Sequence, residues 1–281
     1  MKNKLLTILV PAFNSYDGVT RIINNFKHRN DVEIIVSDDS NNTKVSQDIE
    51  LFISKLNQPE VMYLKHNSTS NAVDNWNFLL NKAQGKFFLL VHHDEHFNND
   101  FFIDYLNKNQ DSIELLVLPI TINHPHNITR RVASWMQNIS IKLFSSNVLT
   151  FNYLLGPTAC LVVRNNDLTL FNRDLVYYVD VEWFHRIFSK LEYKNIRFFS
   201  HSRVVSTIRE ESITNSIKHK IENVIKDDLS ILNNIYPNNI FIIRLLKSFL
   251  FKALYKLLIL TSFIPYYVQI FKSYMKSNTF K

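Results

Sequence analysis

Two acids, Asp94 and Glu95, follow directly on the apolar run Lys86–Val91. Carboxylates this close to a buried strand are costly unless a cation or hydrogen bonds compensate them. A hard divalent ion, Mg²⁺ or Mn²⁺, is the simplest compensation. Such ions take oxygen ligands, share them with phosphates and offset charge that develops on a phosphate-type leaving group. A further acid, Asp180, stands at the start of a helical pattern far along the chain. A carboxylate within hydrogen-bond reach of a hydroxyl can take its proton as attack begins. The same position also suits a helix N-cap. Glu182 is an alternative base or an acceptor-binding group, but residues two apart on a helix face different ways, so both cannot serve one proton. Asp38-Asp39 forms a third acidic spot, which taken alone reads as a turn. His92, His93 and His96 raise the question of zinc, yet no HExxH spacing or cysteine ligand accompanies them.

The elements that must hold these residues can be read from apolar patterning. Leu5–Val10, Glu33–Ser37, Val61–Leu64 and Lys86–Val91 read as strands. Between them Gly18–Arg29, entered through Asp17, Thr43–Leu56 and Ser70–Ala83 read as helices, the last stopping at Gly85 as a C′ residue. Strand–helix alternation with nearly continuous apolar strands predicts an α/β fold with a mostly parallel sheet covered on both faces. Ligands of such sheets bind beyond the carboxyl ends of the strands. Those ends carry Pro11-Ala12-Phe13-Asn14, Asp38-Asp39-Ser40 and His92-His93-Asp94-Glu95-His96. Further on, Leu115–Ile122 and Ala159–Val163 read as strands and Ile128–Phe144 as an amphipathic helix. Val179–Leu191 reads as a helix, Ile196–Phe199 and Val204–Ile208 as strands, and Ile213–Ile235 as a helix.

The segments LTILVPAFN, VEIIVSDDSNN, NWNFLLNKAQGKFFLLVHHDEHF and YYVDVEWFHRIF, in this order, resemble the motifs of family 2 glycosyltransferases with the GT-A fold, of bacterial surface-polysaccharide type. The resemblance covers roughly residues 5–215. It implies a Rossmann-like nucleotide-sugar-binding half (1–110) and an acceptor-binding half (111–235), with Mn²⁺ or Mg²⁺ as cofactor and a nucleotide-diphosphate sugar, by default a UDP-sugar, as donor. It places Pro11 and Phe13 at the nucleotide base, Asp39 on the base or ribose, and Asn77 where it positions the donor. Asp94 matches the metal-binding acid of the family's DxD motif, and Asp180 the catalytic base of an inverting displacement. Arg209 falls where late loop residues close on the diphosphate, or pairs with Glu210 or Glu211 on the surface. His92 stands in place of the usual first acid of DxD, with His93 in the middle; imidazole can still bind a metal or donate to phosphate. Gly156 either permits a tight backbone before Pro157 or lines the acceptor site. Trp76 and Trp183 are core residues or sugar platforms.

Composition sets the surroundings. Hydrophobic residues make up 46% of the 281 and charged residues 20%, enough for a sizeable core and too ordered a balance for disorder. Cys160 is the only cysteine, which rules out an internal disulfide and suits a reducing, cytoplasmic compartment. The net charge of +7 sits entirely in the tail, where seven Lys or Arg and no acid lie between Leu229 and Lys281. The tail 236–281 reads as helical from Ile240 to Lys276 with a break near Pro265, and projection of Phe241–Leu260 puts cations on one side and leucines mostly on the other. Charges recur too often for a span of about 20 apolar residues. The pattern predicts helices lying on an anionic membrane surface, at the inner face of the cell membrane, near a glycan or lipid-linked acceptor. The alternative is a helix packed on the domain or on a second subunit. The balanced main portion and the very apolar tail argue against nucleic acid as partner.

Overall fold

The computed structural model describes residues 4–66, 71–123, 128–130, 137–138, 142, 155–207 and 218–236. The first part alternates as expected: β1 (Leu6–Ala12), α1 (Tyr16–Phe26), β2 (Val32–Asp38), α2 (Thr43–Leu56), β3 (Val61–Lys65), α3 (Ala72–Leu80) and β4 (Phe87–Leu90). Then come β5 (Glu95–Phe97), α4 (Phe101–Asn109), β6 (Leu115–Val117), β7 (Ile120–Asn123), β8 (Ile128–Arg130) and β9 (Leu161–Arg164). The rest is α5 (Val179–Lys190), β10 (Ile196–Phe198), β11 (Val204–Thr207) and α6 (Ile221–Ile235).

Seven strands form one sheet in the order β10-β6-β9-β4-β1-β2-β3. β1 to β4 run parallel, β9 is antiparallel to both β4 and β6, and β10 is parallel to β6. The chain leaves β1 toward β2 and β3, then crosses back to place β4 on the other side of β1. The loops after β1 and β4 therefore diverge, and the crevice they leave lies over the carboxyl ends of these strands, where open parallel sheets take ligands. A second sheet, β5-β11-β7-β8, is fastened beside this crevice.

Period-2 alternation sends strand residues to two faces. Leu6, Ile8 and Val10 of β1, Ile34 and Val36 of β2, and Phe87 and Leu89 of β4 share one cluster with Val19, Ile22, Ile23 and Phe26 of α1. Those α1 positions follow the i, i+3, i+4, i+7 stripe of an amphipathic helix. Ile49 and Ile53 of α2 and Phe102, Ile103 and Leu106 of α4 complete that side. On the opposite face Phe88 meets Trp183 of α5, with ring centroids 6.4 Å apart.

Several boundaries differ from the sequence reading, each for a local reason. Leu115–Ile122 is not one strand: the chain breaks at Leu118-Pro119, and its halves β6 and β7 join different sheets. Proline lacks the N–H that a continuous central strand would need. Ile128–Arg130, expected to open a helix, is β8, paired antiparallel to β7; most of the remainder of that expected helix lies outside the described residues. Thr158–Cys160 is a 3₁₀ turn before β9. The chain divides into two compact units after Val224, and α6 crosses the division. Among the described residues no helix is long and apolar enough to cross a membrane. The cationic stretch 237–281 and Arg209 lie outside the described residues.

Gly85 is also not the C′ residue of α3, which ends at Leu80 with Asn81 as a right-handed cap. The glycine is needed for close approach. A Cβ there would lie 2.7 Å from the Thr7 amide nitrogen and 2.8 Å from the Leu6 carbonyl carbon, both in the central strand. Its own N–H donates to Thr7 Oγ1 (2.7 Å), and that hydroxyl in turn donates to Glu33. Backbone of a central strand cannot yield as a flexible side chain would. Gly85→Ala is expected to lower stability by about 1–3 kcal/mol, read as a shift in the urea-unfolding midpoint without a change in slope.

Candidate active site

The loop after β1 is stitched to the loop after β2. Asn14 adopts a left-handed φ of 48°, which asparagine tolerates better than most residues. Its backbone N–H donates to Ser40 Oγ (2.7 Å), its side-chain Nδ2 donates to Asn41 (2.7 Å), and its Oδ1 accepts from the Asn42 N–H (3.1 Å). Beneath this turn Asp38 is fully buried. Its carboxylate accepts from the Ser40 N–H (3.0 Å), the Ser40 hydroxyl, Tyr63 Oη (2.9 Å) and Lys65 Nζ (3.2 Å). Burial alone would raise this carboxyl, but the hydrogen bonds prevail and hold it below the ordinary range. Asp38 is thus a structural anchor, and Asp39 is the acid left at the partly exposed rim, its N–H donating to Ala12 O (3.0 Å). Pro11 is buried in β1, and Phe13 is exposed at 49% at the lip of the crevice.

The loop after β4 carries the acidic cluster. Val91 N–H still pairs with Leu9 O (2.9 Å), after which His92, His93 and Asp94 turn across the sheet end. The turn is held from three sides. Glu95 Oε2 accepts the His92 N–H (2.8 Å), Asp94 O accepts the Thr207 N–H (3.1 Å), and Gly18 of α1 presses on His93. A Cβ on Gly18 would fall 2.0 Å from the His93 carbonyl oxygen, so α1 can approach this turn only with glycine at that position. His92 packs edge-on against Trp76, centroids 4.8 Å apart. Burial depresses its imidazole to about 4, with Asp94 opposing and His93 reinforcing the shift, so it is neutral at pH 7. It therefore does not reproduce the charge of an acid at this place.

Asp180 lies in the first turn of α5. Burial raises its carboxyl to about 6. Glu95, also buried, is held well above the ordinary carboxylate range by desolvation, then by the charge of Asp94, with a further contribution from Asp180. Glu95 thus lies within electrostatic reach of both acids, which joins two parts of the sequence some 85 residues apart in one site. The expected capping role of Asp180 is not what its position gives, because the N-cap is Tyr178.

Three expected contacts are corrected. Trp183 is buried at 1%, its indole N–H donates to Thr169 O (2.6 Å) and its ring stacks on Phe171 (4.5 Å, 21°), leaving no face for a sugar. Glu182 is also buried, and both of its oxygens accept from Arg186 (2.6 and 2.7 Å). Asn77 is spent on protein backbone: Nδ2 donates to Phe171 O (3.0 Å) and Oδ1 accepts from the Phe171 N–H (2.8 Å). Gly156 is buried against Ile120, whose side-chain tip would meet an added Cβ at 2.6 Å. Sequence reasoning passed over Gly18 and Asn14 as site-shaping residues. Glycine scarcity was the available signal for the first, since only three glycines occur.

No group of three or more His, Cys, Asp or Glu that could hold a metal by itself occurs among the described residues. The partly exposed Asp94 fits a different pattern, in which Mg²⁺ or Mn²⁺ takes one or two carboxylates and completes its shell with substrate phosphates and water.

A family model described as Glycosyl transferase family 2 matches residues 7–168. Among curated proteins none matches. Solved structures of similar fold include Staphylococcus aureus TarS 1-349 in complex with UDP-GlcNAc, with a TM-score of 0.58 and 16% identity over 75% of this chain and 61% of that one. The mannosyltransferase PcManGT from Pyrobaculum calidifontis, in complex with GDP-Man and Mn²⁺, gives 0.57 and 10% over 83% and 65% respectively. This chain therefore spans less than two thirds of the length of either. At these identities the likeness is one of fold, a GT-A-like α/β sheet flanked by helices. With a family model that matches more than half of its length, the chain belongs to glycosyl transferase family 2.

Proposed function

We propose that the chain is an inverting glycosyltransferase that moves a sugar from a nucleotide-diphosphate sugar, a UDP-sugar by default, to a membrane-associated glycan or lipid-linked acceptor in bacterial cell-surface polysaccharide synthesis. What supports this reading most is that Glu95, beyond the end of β4, lies within electrostatic reach of both Asp94 and Asp180. Nucleotide sugars bound to the two proteins of similar fold support the donor class.

The nucleotide base and ribose lie over the stitched turns after β1 and β2, against Phe13 and Asp39. Their rigidity lowers the ordering cost of binding. Asp94 would hold a divalent ion with the diphosphate, and that ion would supply electrostatic stabilisation of the leaving group. Asp180 takes the proton of the acceptor hydroxyl from the opposite side of the sugar. A partly buried carboxyl with a pKa near 6 is a stronger base than a solvated one and is still ionised at neutral pH. The turn before α5 is left as the acceptor-side surface, and Arg209 as a partner of the diphosphate. The tail 236–281 would hold the enzyme on the anionic inner face of the membrane, where such an acceptor is presented.

A second reading follows from His92. The neutral imidazole stands where the family resemblance puts an acid, and a nucleotide-sugar binder without turnover would tolerate that change. A panel of UDP- and GDP-sugars incubated with and without Mn²⁺ separates the two. Hydrolysis or transfer that depends on Mn²⁺ and is lost in Asp94→Asn is expected. Binding with no turnover of any donor would instead favour the idle protein.

Asp180→Asn is expected to reduce kcat by about 10²–10⁴ with donor affinity nearly unchanged, since only the general base is removed. Because Asp180 acts in its ionised form, wild-type kcat/KM should hold above about pH 6 and fall tenfold per unit below it, and residual activity of the variant should lack that limb. Full turnover in Asp180→Asn would remove this residue from the mechanism.

Liposome flotation checks the membrane assignment. The full chain is expected to float with vesicles containing anionic lipid and not with purely zwitterionic ones, and a chain ending at residue 235 should stay at the bottom. Flotation of the shortened chain would defeat the assignment.

A further inference from the structure

We infer that Asn77 and Trp76 are positioning residues, which set where Asp180 stands relative to the Asp94 turn by gripping the strap Thr169–Arg173 between α3 and α5. The inference rests on the transferase reading and adds to it the device that holds its two halves in register.

The strap is held from both sides along its whole length. From α3, Asn77 makes two hydrogen bonds to the Phe171 backbone, closing a ring of the kind that paired strands form. Asn77 is buried, so neither bond competes with water, and loss of one partner would leave a buried polar group unmet. Trp76 meets the Phe171 ring edge-on, centroids 5.3 Å apart. At the rim, Arg173 pairs with Asp74 (2.8 Å). From α5, Trp183 stacks on Phe171 and donates to Thr169 O, Arg186 donates to Leu170 O (2.6 Å), and Lys190 donates to Thr169 Oγ1 (3.1 Å).

Phe171 is therefore pressed between Trp76 of α3 and Trp183 of α5. The outer edge of the same Trp76 carries His92, the first residue of the acidic turn. A continuous packed path thus runs from His92 through Trp76, Phe171 and Trp183 to the helix that bears Asp180. Packed interiors transmit small displacements because they have few voids to absorb them.

Reach for proton transfer is set within tenths of an ångström, so a shift of about 1 Å at Asp180 is expected to lower kcat by about 10²-fold. Asn77→Asp keeps the acceptor for the Phe171 N–H and turns the donor to Phe171 O into a repelling oxygen. Its expected effect is a kcat about 10- to 100-fold lower with UDP-GlcNAc or whichever UDP- or GDP-sugar the wild type hydrolyses, while UDP affinity stays within about threefold. Trp76→Phe shortens the wedge and should do the same to a smaller extent. The distinguishing readout is the pH profile. Loosening the strap admits water to Asp180, so the acid limb should move down from about 6 toward the ordinary aspartate range. The ionisable groups near Asp180 are Glu95, with Asp94 on the facing turn, and Glu182 on its own helix, which Arg186 neutralises. A purely structural weakening would lower the melting temperature and leave the limb in place.

Should Asn77→Asp not fold, Trp76→Phe carries the test by the same split. Folded variants with unchanged kcat, an unmoved limb, or UDP affinity that falls in step with kcat would overturn the inference, the last by making Asn77 a donor contact after all. Failure of the transferase reading looks different, because the wild type itself would then turn over no donor.

Discussion

Negative charge held at a partly desolvated place is the constraint around which the rest is arranged. Asp94, Glu95 and Asp180 share one crevice, and two of them are buried deeply enough for desolvation to be the leading influence on their ionisation. Carboxylates so placed cannot all be charged without a cation or bound protons. The fold meets part of the load locally. Glu95 spends one oxygen on the His92 N–H and retains its proton far more readily than a solvated acid. Asp94 is partly exposed, where a substrate that brings its own counter-ions could meet it. A nucleotide diphosphate with a divalent metal is such a substrate.

The two sides of the crevice are built differently, and the difference matches their tasks. The side beside β2 is held by directional hydrogen bonds: Lys65 and Ser40 donate to Asp38, Asn14 donates to Ser40 and Asn41, and the Asn42 N–H donates to Asn14. Such a network fixes a pocket for a flat, polar ligand, since each bond is directional. The side beside α5 is held by aromatic packing, with Phe171 wedged between two tryptophans. Packing sets distance more than direction, and distance between the acceptor hydroxyl and Asp180 is what proton transfer requires.

The parallel half of the fold was legible because its signals are local. Leu6, Ile8 and Val10 alternate with Thr7 and Leu9, the α1 stripe has helical period, and each strand ends in polar residues that a buried strand would exclude. The acidic turn and Asp180 were legible as motifs. What escaped reading depends on partners far away in sequence. Nothing around Asn77 says that its amide closes on Phe171, 94 residues later. Trp183 sits on a helix beside an acid, a setting that looks like a sugar platform until Thr169 and Phe171 are seen to use it up. The split of Leu115–Ile122 escaped for a related reason: Pro119 marks a break, but only the pairing partners show that the halves belong to different sheets. Gly85 was correctly singled out for the wrong cause, since the neighbour it must accommodate is β1, and the helix before it ends earlier.

His92 draws these threads together. At the place where an acid is expected, a half-buried neutral imidazole lowers the charge that this turn must carry. Its N–H to Glu95 is a backbone bond and would survive any side chain there, so the turn does not need histidine for its shape. What the ring adds is contact with Trp76, and through it with the strap that leads to Asp180. An acid would be pushed away from that aromatic surface and toward water or a cation, because burial of an unpaired carboxylate beside an indole is unfavourable. The exchange of acid for imidazole thus removes a charge from the donor side and adds packing to the path toward the base. Both follow from one residue because the same tryptophan borders both sides of the crevice.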